Sequence, residues 1–295
     1  MLVFDPYSPA VDADPFPLYK RLRDEAPCFW SREAEMWILS RFADIVTARQ
    51  DWRTYSSASG NMMTELPERA GATLGTTDPP RHDRLRALVN YAFMKRNLEG
   101  LAEPMRAIAR DAAEDLRGLK TFDFKDFSAK FTVRVLMAAL GLPSGEEAIV
   151  DEETVREKAV LMVQSDARTR AKGPEHLAAF DWMRDYASKV IEMRRAEPRN
   201  DLISNFAAAE IDGDKLDERE VLLTTTTLIM AGVESLGGYM MMLAYNLATH
   251  PDAREAVTQN PALLPDAIEV RRGRPCLPGR VDRAAGDQDR VRGVP

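Results

Sequence analysis

Cysteine is nearly absent: Cys28 and Cys276 are the only two in 295 residues. That number excludes a disulfide framework and a multi-cysteine metal site. Histidine is almost as rare. His82, His176 and His250 stand far apart, without the spacing a zinc centre needs, and no metal site is expected from side-chain clusters. Positive charge is lacking where nucleic acid would require it. The chain carries a net −7, and residues 271–295 hold seven Arg against three Asp, a net +4, which leaves −11 for residues 1–270. An acidic body argues against nucleic-acid binding. The opening Met1-Leu2-Val3-Phe4-Asp5-Pro6 has no basic segment followed by an apolar run, so neither secretion nor an N-terminal anchor is expected. With 45% apolar and 29% charged residues, the composition is that of a soluble cytoplasmic protein, as one large domain or two smaller ones.

What the chain does have is helix signal. Apolar spacing predicts helices over Pro15–Glu25, Phe42–Ala48, Arg81–Met94, Glu103–Leu116, Ala129–Leu140, Glu153–Asp166, Glu175–Ala196, Asp201–Glu210 and Asp252–Gln259. A further helix starts at Leu263. Two short strands are expected, Cys28–Trp30 and Met36–Leu39, across the polar turn Ser31–Glu35. The Gly-, Met- and Thr-rich stretch Asn61–Thr77 predicts a loop able to wrap a ligand. Asp78-Pro79-Pro80 is a strong helix start, since Asp can cap and Pro suits the first turn.

The most informative segment is Val221 to His250, an apolar helix of about eight turns. At its centre stands Ala231-Gly232-Val233-Glu234-Ser235. A carboxylate buried at mid-helix costs free energy unless a partner or a wet cavity receives it. Gly232 lets another group approach the backbone closely. Together these residues suggest a proton-handling groove against a bound ligand. Two plainer accounts stand beside it: a core helix whose Glu234 meets an Arg, and a membrane span. Against the span, Thr224–Thr227 and Gly237-Gly238 dilute the apolarity, and no second span exists.

His82 and Arg86 are four residues apart, on one helix face near its N-terminus. Such a pair suits gripping carboxylates. A solvated basic face with Arg81 and Arg84 would look the same.

The run Thr77-Asp78-Pro79-Pro80-Arg81-His82-Asp83-Arg84-Leu85-Arg86 resembles the haem-propionate helix of bacterial cytochrome P450 enzymes. Ala231-Gly232-Val233-Glu234-Ser235 resembles that family's oxygen-binding groove. Asp14-Pro15-Phe16-Pro17, Ala26-Pro27-Cys28, Trp37–Phe42, Tyr55-Ser56-Ser57 and Asn246–Pro251 match in order, over about residues 4 to 269. The resemblance implies a mainly α, cytochrome P450-like helical fold with minor β, and a haem-dependent monooxygenase that inserts one oxygen atom from O2 into an organic substrate. It implies b-type haem as cofactor, with His82 and Arg86 holding a propionate and Ala231 and Gly232 lining the dioxygen groove. Glu234 and Ser235 would be the catalytic proton relay; the family's usual pair is an acid and Thr, so Ser235 keeps the hydroxyl. A ferredoxin or flavodoxin-like protein would donate electrons, with Arg81 and Arg84 on the docking surface. The Asn61–Thr77 loop and the region from Met162 to Met183 would border a small apolar substrate, and no membrane is involved.

The pattern breaks towards the C-terminus. The family's iron is held by a cysteine thiolate in a glycine-rich loop beyond the central helix. Cys276, in Arg274-Pro275-Cys276-Leu277-Pro278, has no such loop, and Cys28 belongs to a strand. Glu269-Val270-Arg271-Arg272 matches the family's Glu-x-x-Arg helix by accident of spacing. The expectation is therefore a cytochrome P450 incomplete at its C-terminus, residues 1–269, inactive for want of the thiolate ligand and exposing an apolar patch. Residues 270–295, rich in Arg, Gly and Pro, form a tail that is disordered or out of frame. The alternative is a non-enzymatic helical binding or interaction protein derived from that scaffold.

Overall fold

The structure, a computed structural model, describes residues 2–166, 169–268, 270–271 and 274–275. It is mainly α, and divides after Val89 into two compact units, each described separately.

The first unit begins with α1 (Pro9–Ala13), α2 (Phe16–Glu25) and the strands β1 (Cys28–Ser31) and β2 (Met36–Leu39). The expected strands pair antiparallel, with Cys28 opposite Leu39 and Trp30 opposite Trp37. Their alternation turns Phe29 and Ile38 to one side, where they pack on buried Phe4, Val11 and Leu22. After α3 (Phe42–Gln50) the chain runs irregularly to α4 (Arg81–Ala92), which crosses the division between the units.

The second unit contains α5 (Lys95–Leu98), α6 (Ala102–Asp115), α7 (Phe124–Leu140), α8 (Glu152–Val163), α9 (Pro174–Ala196) and α10 (Leu202–Ala208). A two-stranded hairpin follows, β3 (Glu210–Ile211) with β4 (Asp214–Lys215). Then come α11 (Glu218–Thr249), α12 (Pro251–Gln259), α13 (Leu264–Ile268) and the short antiparallel pair β5 (Val270–Arg271) and β6 (Arg274–Pro275). Glu269, Cys276 and most of the expected tail lie outside the described residues.

Helix α11 packs against α7, α8 and α9, with α8 on α9 and α6 on α7. The core between them is built from Val133, Met137, Val155, Met162, Met183, Val190, Phe206 and Ile229, all almost fully buried. Each such side chain contributes about 1.5–3 kcal/mol of burial free energy. Met162, Phe180 and Met183, expected near a substrate, are part of this core.

One helix start and two short helices differ from expectation. α7 begins five residues early, because the Asp123 carboxylate accepts from the Lys125 amide at 2.7 Å and overrides the weak apolar pattern of its first turn. α1 and α5, at five and four residues, were not predicted; helices that short carry too little periodicity to stand out.

Candidate functional site

In the first unit, α4 starts where Asp78-Pro79-Pro80 places it, with the Asp78 carbonyl accepting from the His82 amide at 3.0 Å. The Asp78 carboxylate does something else. It accepts from the Ser57 amide at 3.0 Å and from the Ser56 hydroxyl. These bonds hold its pKa below the usual carboxylate range, Ser56 contributing most and nearby His82 least. The side chain thus anchors the 56–57 turn rather than capping the helix.

His82 is half-buried and its Nδ1–H donates to Asp83 Oδ1 at 2.9 Å; Nε2 can donate to an external carboxylate only when the ring carries both protons. Arg86 follows one turn later and is exposed. Arg81 is not simply an outward charge: its guanidinium donates to the Gly71 carbonyl at 2.8 Å and ties α4 to the preceding loop. Arg84 is half-buried.

That loop, residues 61–77, is cross-linked within itself. Arg69 meets Glu65 at 2.7 Å, with side chains only 2% and 9% exposed. Burial lowers the Arg69 pKa more than Glu65 raises it, so the pair fixes the loop at a desolvation cost. The Thr76 hydroxyl donates to the Arg69 carbonyl at 2.5 Å, and Thr73 and Thr76 form a reciprocal cap. A freely wrapping segment would lack these ties.

In the second unit, α11 opens on a capping box. The Asp217 carboxylate accepts from the Glu220 amide at 2.7 Å and Glu220 accepts from the Asp217 amide at 3.1 Å. From Val221 to Met230 most of the helix is buried against its neighbours. At Ala231 one face opens: Ala231, Glu234, Ser235, Met242 and Tyr245 are exposed. The expected buried carboxylate is therefore on an open face, because α7 covers only the opposite side of this stretch. Glu234 has no ion-pair partner among the described residues, so the account in which it meets an Arg is not supported.

The Ser235 hydroxyl donates back to the Ala231 carbonyl at 2.6 Å. Such i−4 bonds loosen and bend a helix locally. Gly232 serves a different neighbour from the one expected. A Cβ there would come within 2.5 Å of Leu136 Cδ1, so its missing side chain admits α7, not a ligand. Gly238 is the glycine that faces open space, with nothing within 4 Å of a Cβ. Sequence reasoning passed over it, although its seven-residue spacing from Ala231 puts both on one face.

The structure brings Ala231, Glu234 and Ser235 to one face of α11, and His82 and Arg86 to one stretch of α4; these lie in different units. Among the described residues no group of three or more His, Cys, Asp or Glu forms a metal-holding cluster. Cys28 is exposed on β1, and Cys276 is outside the described residues.

A haem group can be tested against these residues. α4 offers an imidazole nitrogen and a guanidinium for acidic arms. α11 offers an exposed face with room at Gly238 and a hydroxyl and a carboxylate on it. Each set, taken within its own unit, is of a kind that such a group accepts. No described residue other than Cys28 offers sulfur of the thiolate kind.

Comparison with known proteins gives the same direction. A sequence model of the family described as Cytochrome P450 matches residues 151–265. The putative cytochrome P450 123 of Mycobacterium tuberculosis is 30% identical over 274 residues, covering 91% of this chain and 67% of that protein. Erythromycin C-12 hydroxylase of Saccharopolyspora erythraea is 30% identical over 282 residues, covering 93% and 68%. The solved structure of cytochrome P450 CYP109Q5 from Chondromyces apiculatus superposes with a TM-score of 0.76 at 27% identity, over 91% of this chain and 67% of that one. The chain thus spans about two thirds of the length of the relatives it matches.

Proposed function

Because the chain belongs to the cytochrome P450 family, whose named relatives here include a hydroxylase, we propose that it carries the haem-contacting and proton-handling parts of a monooxygenase that inserts one oxygen atom into a small apolar organic substrate. Haem, when bound, supplies the oxygen activation. The exposed face of α11 carries the proposal, since it sets an acid and a hydroxyl beside apolar side chains that the described residues of the second unit leave exposed.

His82, through Nε2, and Arg86 would bind propionate carboxylates. Ala231 would border the dioxygen position, and Gly232 acts by letting α7 set the height of the helix there. The Glu234 carboxylate would relay protons from solvent to Ser235 Oγ, whose hydroxyl donates to the Ala231 carbonyl at rest and would turn outward to hand its proton on. An external one-electron donor, a ferredoxin or flavodoxin-like protein, would supply electrons, and the protein would work in the cytoplasm. We assign the iron thiolate to neither cysteine of this sequence: Cys28 is exposed on β1, remote in sequence from α11. On this reading the 295 residues alone are inactive.

The test is haem titration followed by reduction under carbon monoxide. The expected result is bound haem without the red-shifted thiolate band. A thiolate-type band would overturn the assignment of no ligand. Absence of any haem binding would favour a non-enzymatic protein built on the same scaffold.

A further inference from the structure

The first turn of α4 is tethered from two sides. On one side the Asp78 carboxylate accepts from the Ser56 hydroxyl and, at 3.0 Å, from the Ser57 amide. Ser56 Oγ in turn accepts from the Ala58 amide at 3.1 Å, which closes the 56–58 turn on itself. On the other side the Arg81 guanidinium donates to the Gly71 carbonyl at 2.8 Å. The two anchor points are neighbours. Gly71 has φ +64°, a conformation that residues with side chains rarely adopt, and the Ala58 carbonyl lies 3.5 Å from where its Cβ would stand. Residues 56–58, 71, 78 and 81 therefore form one closed ring of contacts.

His82 hangs on this ring. It follows Arg81 directly, and its amide donates to the Asp78 carbonyl at 3.0 Å. Further along α4, Leu85 and Leu88 are buried and hold the helix by packing. Its first turn has no such support: Arg81, His82, Asp83 and Arg84 are exposed or half-buried. A helix end frays unless something meets its unpaired groups. A grip made of His82 and Arg86 is only as well aimed as the turn that carries it.

We propose that Asp78 and Arg81 are positioning residues: the ring they close through the 56–58 turn and Gly71 aims His82, and with it Arg86, at a carboxylate-bearing ligand. This rests on the reading of His82 and Arg86 as a propionate grip. Neither Asp78 nor Arg81 has to touch the ligand. The charge of Asp78 would repel an incoming carboxylate, so its value to the site lies in the geometry it fixes. Its bonds to Ser56 and Ser57 turn that charge towards the 56–58 turn.

The experiment titrates the full chain with hemin and with hemin dimethyl ester, whose propionates are masked, and follows amide exchange of the haem-free chain by NMR. Asp78→Ala is expected to weaken hemin binding on the order of tenfold, as loss of an orienting partner does, and to leave affinity for the ester unchanged. A general loosening of the fold would weaken both. Ser56→Ala, at an exposed side chain, keeps the Ser57 bond and should move hemin affinity in the same direction by less. Without haem, exchange at the His82 amide should quicken in Asp78→Ala while exchange at Leu88 stays as in the parent. Equal losses for hemin and its ester, hemin affinity unchanged in Asp78→Ala, or unchanged exchange at His82 would each overturn the proposal. A parent that binds hemin no better than the ester would refute the propionate grip itself, a result visible without any variant, and would leave Asp78 and Arg81 nothing to position.

Discussion

The Arg194 guanidinium and the Asp201 carboxylate meet inside the second unit at 2.9 Å, with side chains only 4% and 5% exposed. The two atoms at closest approach do not form a well-aligned hydrogen bond, so short-range charge, rather than a directed bond, holds them. Asp201 also caps α10 by accepting from the Ser204 amide at 2.7 Å. A Cβ at Gly141, the left-handed residue that ends α7 (φ +84°), would lie 2.2 Å from the Asp201 carboxylate carbon. One carboxylate thus joins the ends of α7, α9 and α10.

Asp201→Asn should preserve the cap and strand the guanidinium. Removing one member of a buried pair costs about 3–5 kcal/mol, and the urea midpoint should fall accordingly. Arg194→Met combined with Asp201→Asn should recover most of that loss, because no unpaired charge remains. A midpoint for Asp201→Asn within experimental error of the parent would show that the pair contributes nothing.

Gly232 and Gly238 lie in the same helix and should respond oppositely to alanine. At Gly232 the new methyl meets Leu136 at 2.5 Å, and overpacking of this kind costs about 1–3 kcal/mol unless Leu136 swings aside. At Gly238 it meets nothing, and the gain in helix propensity is about 0.5–1 kcal/mol. Thermal unfolding of the two variants should therefore move in opposite directions.

How much of this was legible in the sequence depended on the range of the interactions involved. The hairpin of β1 and β2 and the long run of α11 are local signals, and they appear where periodicity puts them. The use of Gly232 by α7 and the Asp201 junction involve partners in other elements, which spacing within one element cannot name. Glu234 was read as buried because its helix is apolar. Its exposure depends on which neighbours cover which face, and one helix's own pattern does not carry that information.

Glu234→Gln and Ser235→Ala should leave stability within about 0.5 kcal/mol of the parent, as surface changes generally do. Both side chains are exposed, and the Ser235 hydroxyl bonds only to its own helix. Unchanged unfolding midpoints would let any loss of coupling between oxygen use and product formation, measured in a haem-loaded catalytic form, be assigned to proton transfer. A large drop in midpoint would mean that this face is structurally engaged.

Alkaline unfolding should report on Tyr186. Its phenol titrates near 10 when unfolded and near 12 in the folded chain, because burial disfavours the phenolate. A folded pKa above the unfolded one gives a contribution to stability that is fully present below about 10 and is lost as pH rises towards about 12. Across that window the unfolded chain releases a proton that the folded chain keeps, so stability falls by at most about 1.4 kcal/mol per pH unit from this residue. Tyr186→Phe has no proton to release. The variant should match or slightly exceed the parent at neutral pH, where the unpaired hydroxyl only costs free energy, and its advantage should widen above pH 10. Denaturant midpoints of the two proteins measured from neutral pH upward give the comparison. A difference that stays flat to the alkaline end would show that the Tyr186 hydroxyl is open to water.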